Sequence, residues 1–385
     1  MMLACILDPE RFSATIYEKN NALGRKFLVA GKGGFNLTHS EPKEEMLKKY
    51  LPAEFMQPAL FAFDNEQLRD WLKQLGIETY VGTSKRIFPV KGTKPIEVLN
   101  AIQKRMQKNK VQIAYGHTWK GWDSNGHLLF EANGSVKTVQ ADEVIFALGG
   151  GSWKVTGSDG SWLELFTDKG IQTQPFLSSN CAFSIEWKED FIREMEGTAL
   201  KNTAFRCGER TKKGEAVFTE SGIEGSAVYA LSPAIREQIQ KQGTATIWLD
   251  LKPDLSAAEI QSRLERSRIS IKDTLLKKIN LSEEAFALLK HYTTKDEFTT
   301  PNLLAECIKT FPLVIIGMAP LDEAISTVGG IALQEVNEHY QLKKLKHHYC
   351  IGEMLDWDAP TGGYLLQACF SMGHHLAAYL NSTRP

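Results

Sequence analysis

The sequence predicts an α/β protein in which a doubly wound, largely parallel sheet is interrupted by an inserted domain. Three observations carry that expectation. A strand-like segment, 13–18 (SATIYE), ends in a carboxylate just ahead of a glycine-rich stretch, 24–40 (GRKFLVAGKGGFNLTHS). Segment 141–151 (ADEVIFALGGG) reads as a buried parallel strand running into three glycines. From Pro175 the texture changes to alternating strands and then to short helices rich in Lys and Glu. The expected domains are therefore 1–174 with 312–385, and an insertion over 175–311 formed by a small β-barrel or sandwich followed by helices.

Composition narrows the class. A chain of 385 residues with 43% hydrophobic and 24% charged residues has material for a sizeable core. A net charge of −1 supplies no global field to draw nucleic acid or an anionic membrane surface. No apolar run approaches the roughly 20 residues that span a bilayer, and the start, MMLACILDPERF, lacks the basic region of a signal peptide. The six cysteines are scattered without a CxxC pair, which argues against a disulfide framework, an iron–sulfur site or a zinc site. The simplest reading is a cytoplasmic, reduced, metal-free protein whose partner is a small molecule. Oligomeric state is not legible.

Taken in order, residues 1–7 read as the tail of an apolar helix and 13–18 as the strand after it. In a dinucleotide-binding βαβ unit the second strand ends in an acid that accepts hydrogen bonds from ribose hydroxyls, and Glu18 stands there, with Lys19 beside it. That acid normally lies about 20 residues past a GxGxxG turn, yet no glycine precedes Gly24. The first strand and phosphate turn are thus expected to be missing from this chain; a solvated strand end is the plainer alternative for Glu18. The glycine-rich stretch combines Gly24, Gly31, Gly33 and Gly34 with Arg25, Lys26, Lys32, Asn36 and Thr38. Exposed main-chain N–H groups beside cations make a concavity suited to phosphate or to a ring carbonyl gaining negative charge. A glycine-rich surface loop is the competing reading, and the acid-ended strand upstream tips the balance toward a ligand.

Helical spacing follows over 43–51, over 64–75 with Asp64 as N-cap, and over 93–109. Segments 111–115, 118–123, 127–131 and 136–140 read as a small antiparallel sheet, with hairpin turns at Asn125-Gly126 and Asn133-Gly134. Within the insertion, strands are expected at 181–187, 199–207, 215–220 and 244–251, with a helix over 226–240 and short helices over 256–309. Segment 312–318 is read as an apolar strand that resumes the first domain at 312–385. The last informative stretch is 350–364 (CIGEMLDWDAPTGGY), where a strand closes in Gly352-Glu353 and Gly362-Gly363 open a long helix whose N-terminal N–H groups favour negative charge.

Together, GRKFLVAGKGGFNLTHS, ADEVIFALGGGSWKVTGSDGSW, STVGGIAL and GEMLDWDAPTGGYLLQ resemble, in order and along nearly the whole chain, the bacterial FAD-dependent oxidoreductases labelled YhiN-like or aminoacetone-oxidase-like. The resemblance implies an FAD-binding, Rossmann-like fold of the two-dinucleotide-binding-domain type. FAD is then the cofactor, and NAD(P)H a candidate electron donor. By this analogy Glu18 holds the adenosine ribose, Gly24, Arg25 and Lys26 lie near the pyrophosphate, and residues 31–38 line the flavin ring. Gly149 and Gly150 flank the dinucleotide, Gly352, Glu353 and Asp356 meet its ribityl–pyrophosphate part, and Gly362, Gly363 and Tyr364 its pyrimidine edge.

One departure matters: family members open with a strand and a GGGPAG-type turn. Either the start lies at an internal methionine and about 10–15 residues precede it, or the truncation is real and FAD binding is weak. The first is expected, because the downstream residues keep their cofactor-facing chemistry. Lys32 is the candidate catalytic residue, a cation near charge developing on the reduced ring; a phosphate-facing or surface lysine is its alternative. His39 can relay a proton or simply pack. A second class stays open, a cofactor-free or weakly FAD-binding scaffold protein of the same fold.

Overall fold

The computed structural model describes residues 1–29 and 35–383. It divides into two units, Met1–Leu177 with the segment from Ser326 onward, and Ser178–Ile325.

In the first unit, strand Thr15–Glu18 pairs in parallel with Gln112–Tyr115, and Val144–Phe146 pairs in parallel with His348–Cys350. The first pairing corrects the expectation that 111–115 belongs to the antiparallel sheet. Alternating short strands look alike from sequence whichever neighbour they take, and here helix Pro95–Lys108 returns the chain to the edge beside Thr15–Glu18. The antiparallel sheet retains three strands, Thr118–Trp122, Leu128–Ala132 and Ser135–Val139. Its Asn133-Gly134 turn has positive φ at both residues (52° and 74°), the geometry that a two-residue hairpin requires. Helix Asn65–Gln74 begins at an Asp64 capping box: Asp64 Oδ1 accepts from Gln67 N while the Gln67 side chain accepts from Asp64 N. Its apolar face, Leu68, Trp71 and Leu72, packs with Val98, Leu99 and Ile102 of helix Pro95–Lys108. The C-terminal helix, Tyr364–Thr383, buries Ala368, Met372, Leu376 and Leu380 in the other core of this unit.

The second unit is a seven-stranded antiparallel sheet with helices. Its strand order starts at Phe311–Ile315, runs through Ala245–Asp250, Ala199–Cys207, Arg210–Thr219, Gly222–Glu224 and Phe183–Ser184, and finishes at Gly317–Met318. The two end strands are consecutive in the chain, so one segment, 311–318, carries both ends of the strand order. This corrects the expectation for 312–318. Instead of resuming the first domain, the segment pairs with Ala245–Asp250 and with Phe183–Ser184 of the second unit. Its inward residues, Phe311, Leu313 and Ile315, fill the core of this unit, while Val314 is exposed. The helix expected over 226–240 is two helices, Ser226–Tyr229 and Ser232–Gln242, broken just before Pro233, which cannot donate its backbone nitrogen to a continuing helix.

Candidate functional site

The residues singled out from sequence gather in two groups, both within the first unit. The first forms around the end of strand Thr15–Glu18. Glu18 Oε1 accepts from the backbone N and from Nδ2 of Asn20, each at 2.8 Å, and Asn20 Oδ1 accepts from Arg25 Nη1 at 2.9 Å. Asn20 therefore bridges the acid and the cation. Lys19 Nζ pairs with Asp159 Oδ2 at 2.9 Å. Asp159 feels burial, which would raise its pKa, yet the Lys19 and Ser161 contacts hold the carboxyl below its usual range. Gly24 has φ 69°, and a Cβ there would meet Leu99 at 2.9 Å, so the bend into helix Arg25–Val29 needs glycine.

Lys26, on that helix, reaches the loop after Val144–Phe146. Its Nζ lies 2.8 Å from Glu353 Oε2 and 3.0 Å from Ser152 Oγ. Glu353 Oε1 in turn accepts from Thr327 N at 3.2 Å, and Thr327 Oγ1 accepts from Gly151 N at 3.1 Å. A Cβ on Gly150 would sit 2.1 Å from Thr327 Oγ1 and 3.0 Å from the Glu353 carboxyl carbon. The glycine run thus serves close packing against Glu353 and Thr327. Gly149 and Gly352 both have positive φ, 79° and 82°, and Asp356 Oδ1 accepts from Gly329 N at 2.9 Å. Ser152 and Thr327 are buried members of this network that sequence reasoning does not single out. The small-residue stretch after Gly151 and the STVGGIAL motif are the signals that point toward them.

The second group joins the two-residue strand Thr38–His39 to the start of the C-terminal helix. Strand Thr38–His39 pairs with Arg86–Pro89, Thr38 opposite Ile87 and His39 opposite Arg86. Gly363 has φ 99°, and a Cβ on it would lie 2.5 Å from Thr38 Cα, so backbone meets backbone with no side chain between. Thr38 is fully buried and its hydroxyl donates to Gln367 Oε1 at 2.7 Å. Tyr364 stacks on His39, ring centroids 5.2 Å apart and 19° from parallel, and Tyr50 Oη donates to the Tyr364 carbonyl at 2.9 Å. Burial first, then the Glu41 carboxylate, pushes the Tyr364 phenol well above its usual range. Asn36 is half-buried two residues before Thr38.

His39 packs within this arrangement. Its Nδ1 accepts from Glu41 N at 3.2 Å, and burial holds its pKa below the ordinary histidine value against the opposing pull of Glu41. Gly31, Lys32, Gly33 and Gly34 lie outside the described residues. No group of three or more His, Cys, Asp or Glu side chains suited to a metal occurs among the described residues, and no helix there is long and apolar enough to cross a membrane.

Comparison with known proteins places these motifs in a family context. A family model described as the HI0933-like protein Rossmann domain matches residues 1–379. The 3-dehydro-bile acid delta(4,6)-reductase of Clostridium scindens is 24% identical over 96% of this chain and 93% of its own length. The ribosomal RNA dihydrouridine synthase of Haemophilus influenzae is 22% identical over 95% and 92%. Among solved structures, a 3-ketosteroid-delta4-(5alpha)-dehydrogenase from Rhodococcus jostii RHA1 superposes with a TM-score of 0.45 at 10% identity, covering 99% of this chain and 94% of that one. The match over residues 1–379 fixes the assignment: this chain is a member of the HI0933-like Rossmann-domain family.

Proposed function

We propose that the protein is an FAD-dependent oxidoreductase that works on a small organic molecule. The observation that carries this reading is the meeting of Glu18, at the end of a parallel strand, with Arg25 through Asn20. An acid at a strand end offers acceptors to ribose hydroxyls, and a guanidinium beside it matches a pyrophosphate. Only Oε1 of Glu18 is bonded to Asn20, and Arg25 forms no ion pair among the described residues, so both groups keep capacity for a ligand. Lys19 and Lys26 add positive charge, although Asp159 and Glu353 already pair with them and must share them with any phosphate.

FAD, when bound, supplies the two-electron chemistry, and the protein's part is to bind, orient and tune it. Thr38 and Gly363 present bare backbone to one another, which suits a wall against a flat ring. The N-terminus of the C-terminal helix favours negative charge at that wall. Lys32 remains the candidate for holding charge on a reduced ring, and NAD(P)H the candidate donor. Two relatives named as a reductase and as a dihydrouridine synthase support the redox class. A cofactor-free scaffold is the second reading, and one feature favours it: Glu353 has both oxygens bonded within the chain.

Colour separates the two. Protein incubated with FAD and then desalted is expected to keep flavin absorption bands at near-stoichiometric occupancy. Glu18→Ala should weaken FAD binding about tenfold, the loss of roughly one charged hydrogen bond. A colourless preparation of a version extended at the N-terminus would sink the oxidoreductase reading and leave the scaffold.

A further inference from the structure

Gln367 is fully buried, yet it carries a complete set of polar contacts to three separate segments. Its Oε1 accepts from Thr38 Oγ1 at 2.7 Å, and its Nε2 donates to Phe63 O and to Ser371 Oγ, both at 3.0 Å. Its backbone N donates to Gly363 O at 2.9 Å. Ser371 Oγ itself donates to Phe63 O at 2.6 Å. The orientation of the amide follows from chemistry. A carbonyl can only accept, so the nitrogen must face Phe63 and the oxygen must face Thr38. Thr38 has one hydroxyl proton, and it is committed inward to that oxygen.

Gln367 therefore ties together both sides of one contact. Through its backbone it is bonded to Gly363, and through its side chain it holds Thr38, whose Cα would be 2.5 Å from a Cβ on Gly363. We propose that Gln367 is a positioning residue that sets the spacing between residues 35–39 and the first turn of the C-terminal helix. The consequence for flavin rests on the proposed function above, which makes these two segments walls of the ring site. The competing explanation is a self-satisfied polar network that only steadies the core.

The two differ in where a lesion is felt. Gln367→Met keeps the length and the backbone bond to Gly363 but removes every side-chain hydrogen bond. Thr38→Val removes the matching hydroxyl, and Thr38→Ser keeps it. In cofactor-free protein, Gln367→Met is expected to raise amide hydrogen exchange at residues 35–39 about tenfold while residues 372–380 stay protected. It should also raise the FAD dissociation constant about tenfold and move the bound flavin's visible bands. Thr38→Ser, which keeps the hydroxyl, should match wild type in amide exchange at residues 35–39, and the Gln367→Met/Thr38→Val pair should do no more than Gln367→Met alone.

Unchanged exchange at 35–39, or an equal rise along the whole C-terminal helix, would overturn the proposal. So would an unaltered FAD affinity and spectrum in Gln367→Met when wild type binds FAD. Should wild type bind no FAD while the exchange pattern appears as expected, the consequence for flavin fails and the spacing role stands.

Discussion

His374 shows how a single residue couples this fold to pH. Its ring stacks on Phe63 at 4.4 Å between centroids, 18° from parallel, and its Nδ1 is buried with no partner among the described residues. Burial lowers its pKa from 6.5, and His375 adds a like charge that lowers it further. His39, His348 and His375 are also lowered, each chiefly by burial. Burial disfavours the charged form of these rings in the fold, while an unfolded chain takes up protons near 6.5. Their contribution to stability is complete above that value and is lost as pH falls through it toward the depressed folded values. The thermal midpoint should therefore drop between about pH 7.5 and about pH 5.5. His374→Phe keeps the stack on Phe63 and removes one titrating group, so its midpoint should fall less over the same interval. An identical pH slope in the variant, measured by circular dichroism, would refute the assignment.

At the scale of elements, the glycines differ in what they protect. Gly76 has φ 81° and open space where a Cβ would stand, whereas Gly363 has φ 99° and faces Thr38 backbone at 2.5 Å. Alanine at the first pays only for its backbone conformation, about 1 kcal/mol. At the second it must also push a strand and a helix apart, and a loss exceeding about 3 kcal/mol follows from clash added to strain. Chemical denaturation of Gly76→Ala and Gly363→Ala should resolve the difference; equal losses would mean that the Thr38–Gly363 contact yields easily. Gly362-Gly363 and Thr38 are legible in the sequence because glycine pairs and motif residues are visible locally. Gln367 is not, since it looks like any polar residue in a helix until Thr38, 329 residues away, is brought against it. The same division explains the strands. The Asn133-Gly134 hairpin is encoded by its own turn residues, while Phe311–Ile315 carries an alternating pattern that says which face is inward and nothing about which strand lies alongside.

Across the whole molecule, the core follows the division of the chain. The hydrophobic cluster containing Phe183, Phe205, Phe218, Ile247 and Leu313 draws every buried member from residues 181–324. Neither of the other two clusters includes a residue from Ser178–Ile325. Entry and exit of this unit also lie together, since Ile325 N donates to Asn180 O at 3.2 Å and Ser178 Oγ donates to Ala319 O at 2.7 Å. A segment with its own core, its own sheet and adjacent ends meets the requirements for folding alone. The fragment Ser178–Ile325 is accordingly expected to unfold in urea as one cooperative transition, with coincident near- and far-ultraviolet circular dichroism curves. Loss of near-ultraviolet signal with retained far-ultraviolet signal and dye binding would show instead that its packing depends on the rest of the chain. The inference turns on where the strands lie: a sheet cut from its neighbours would expose an edge, whereas here all the strands of the sheet, both end strands Phe311–Ile315 and Gly317–Met318 included, belong to the same unit.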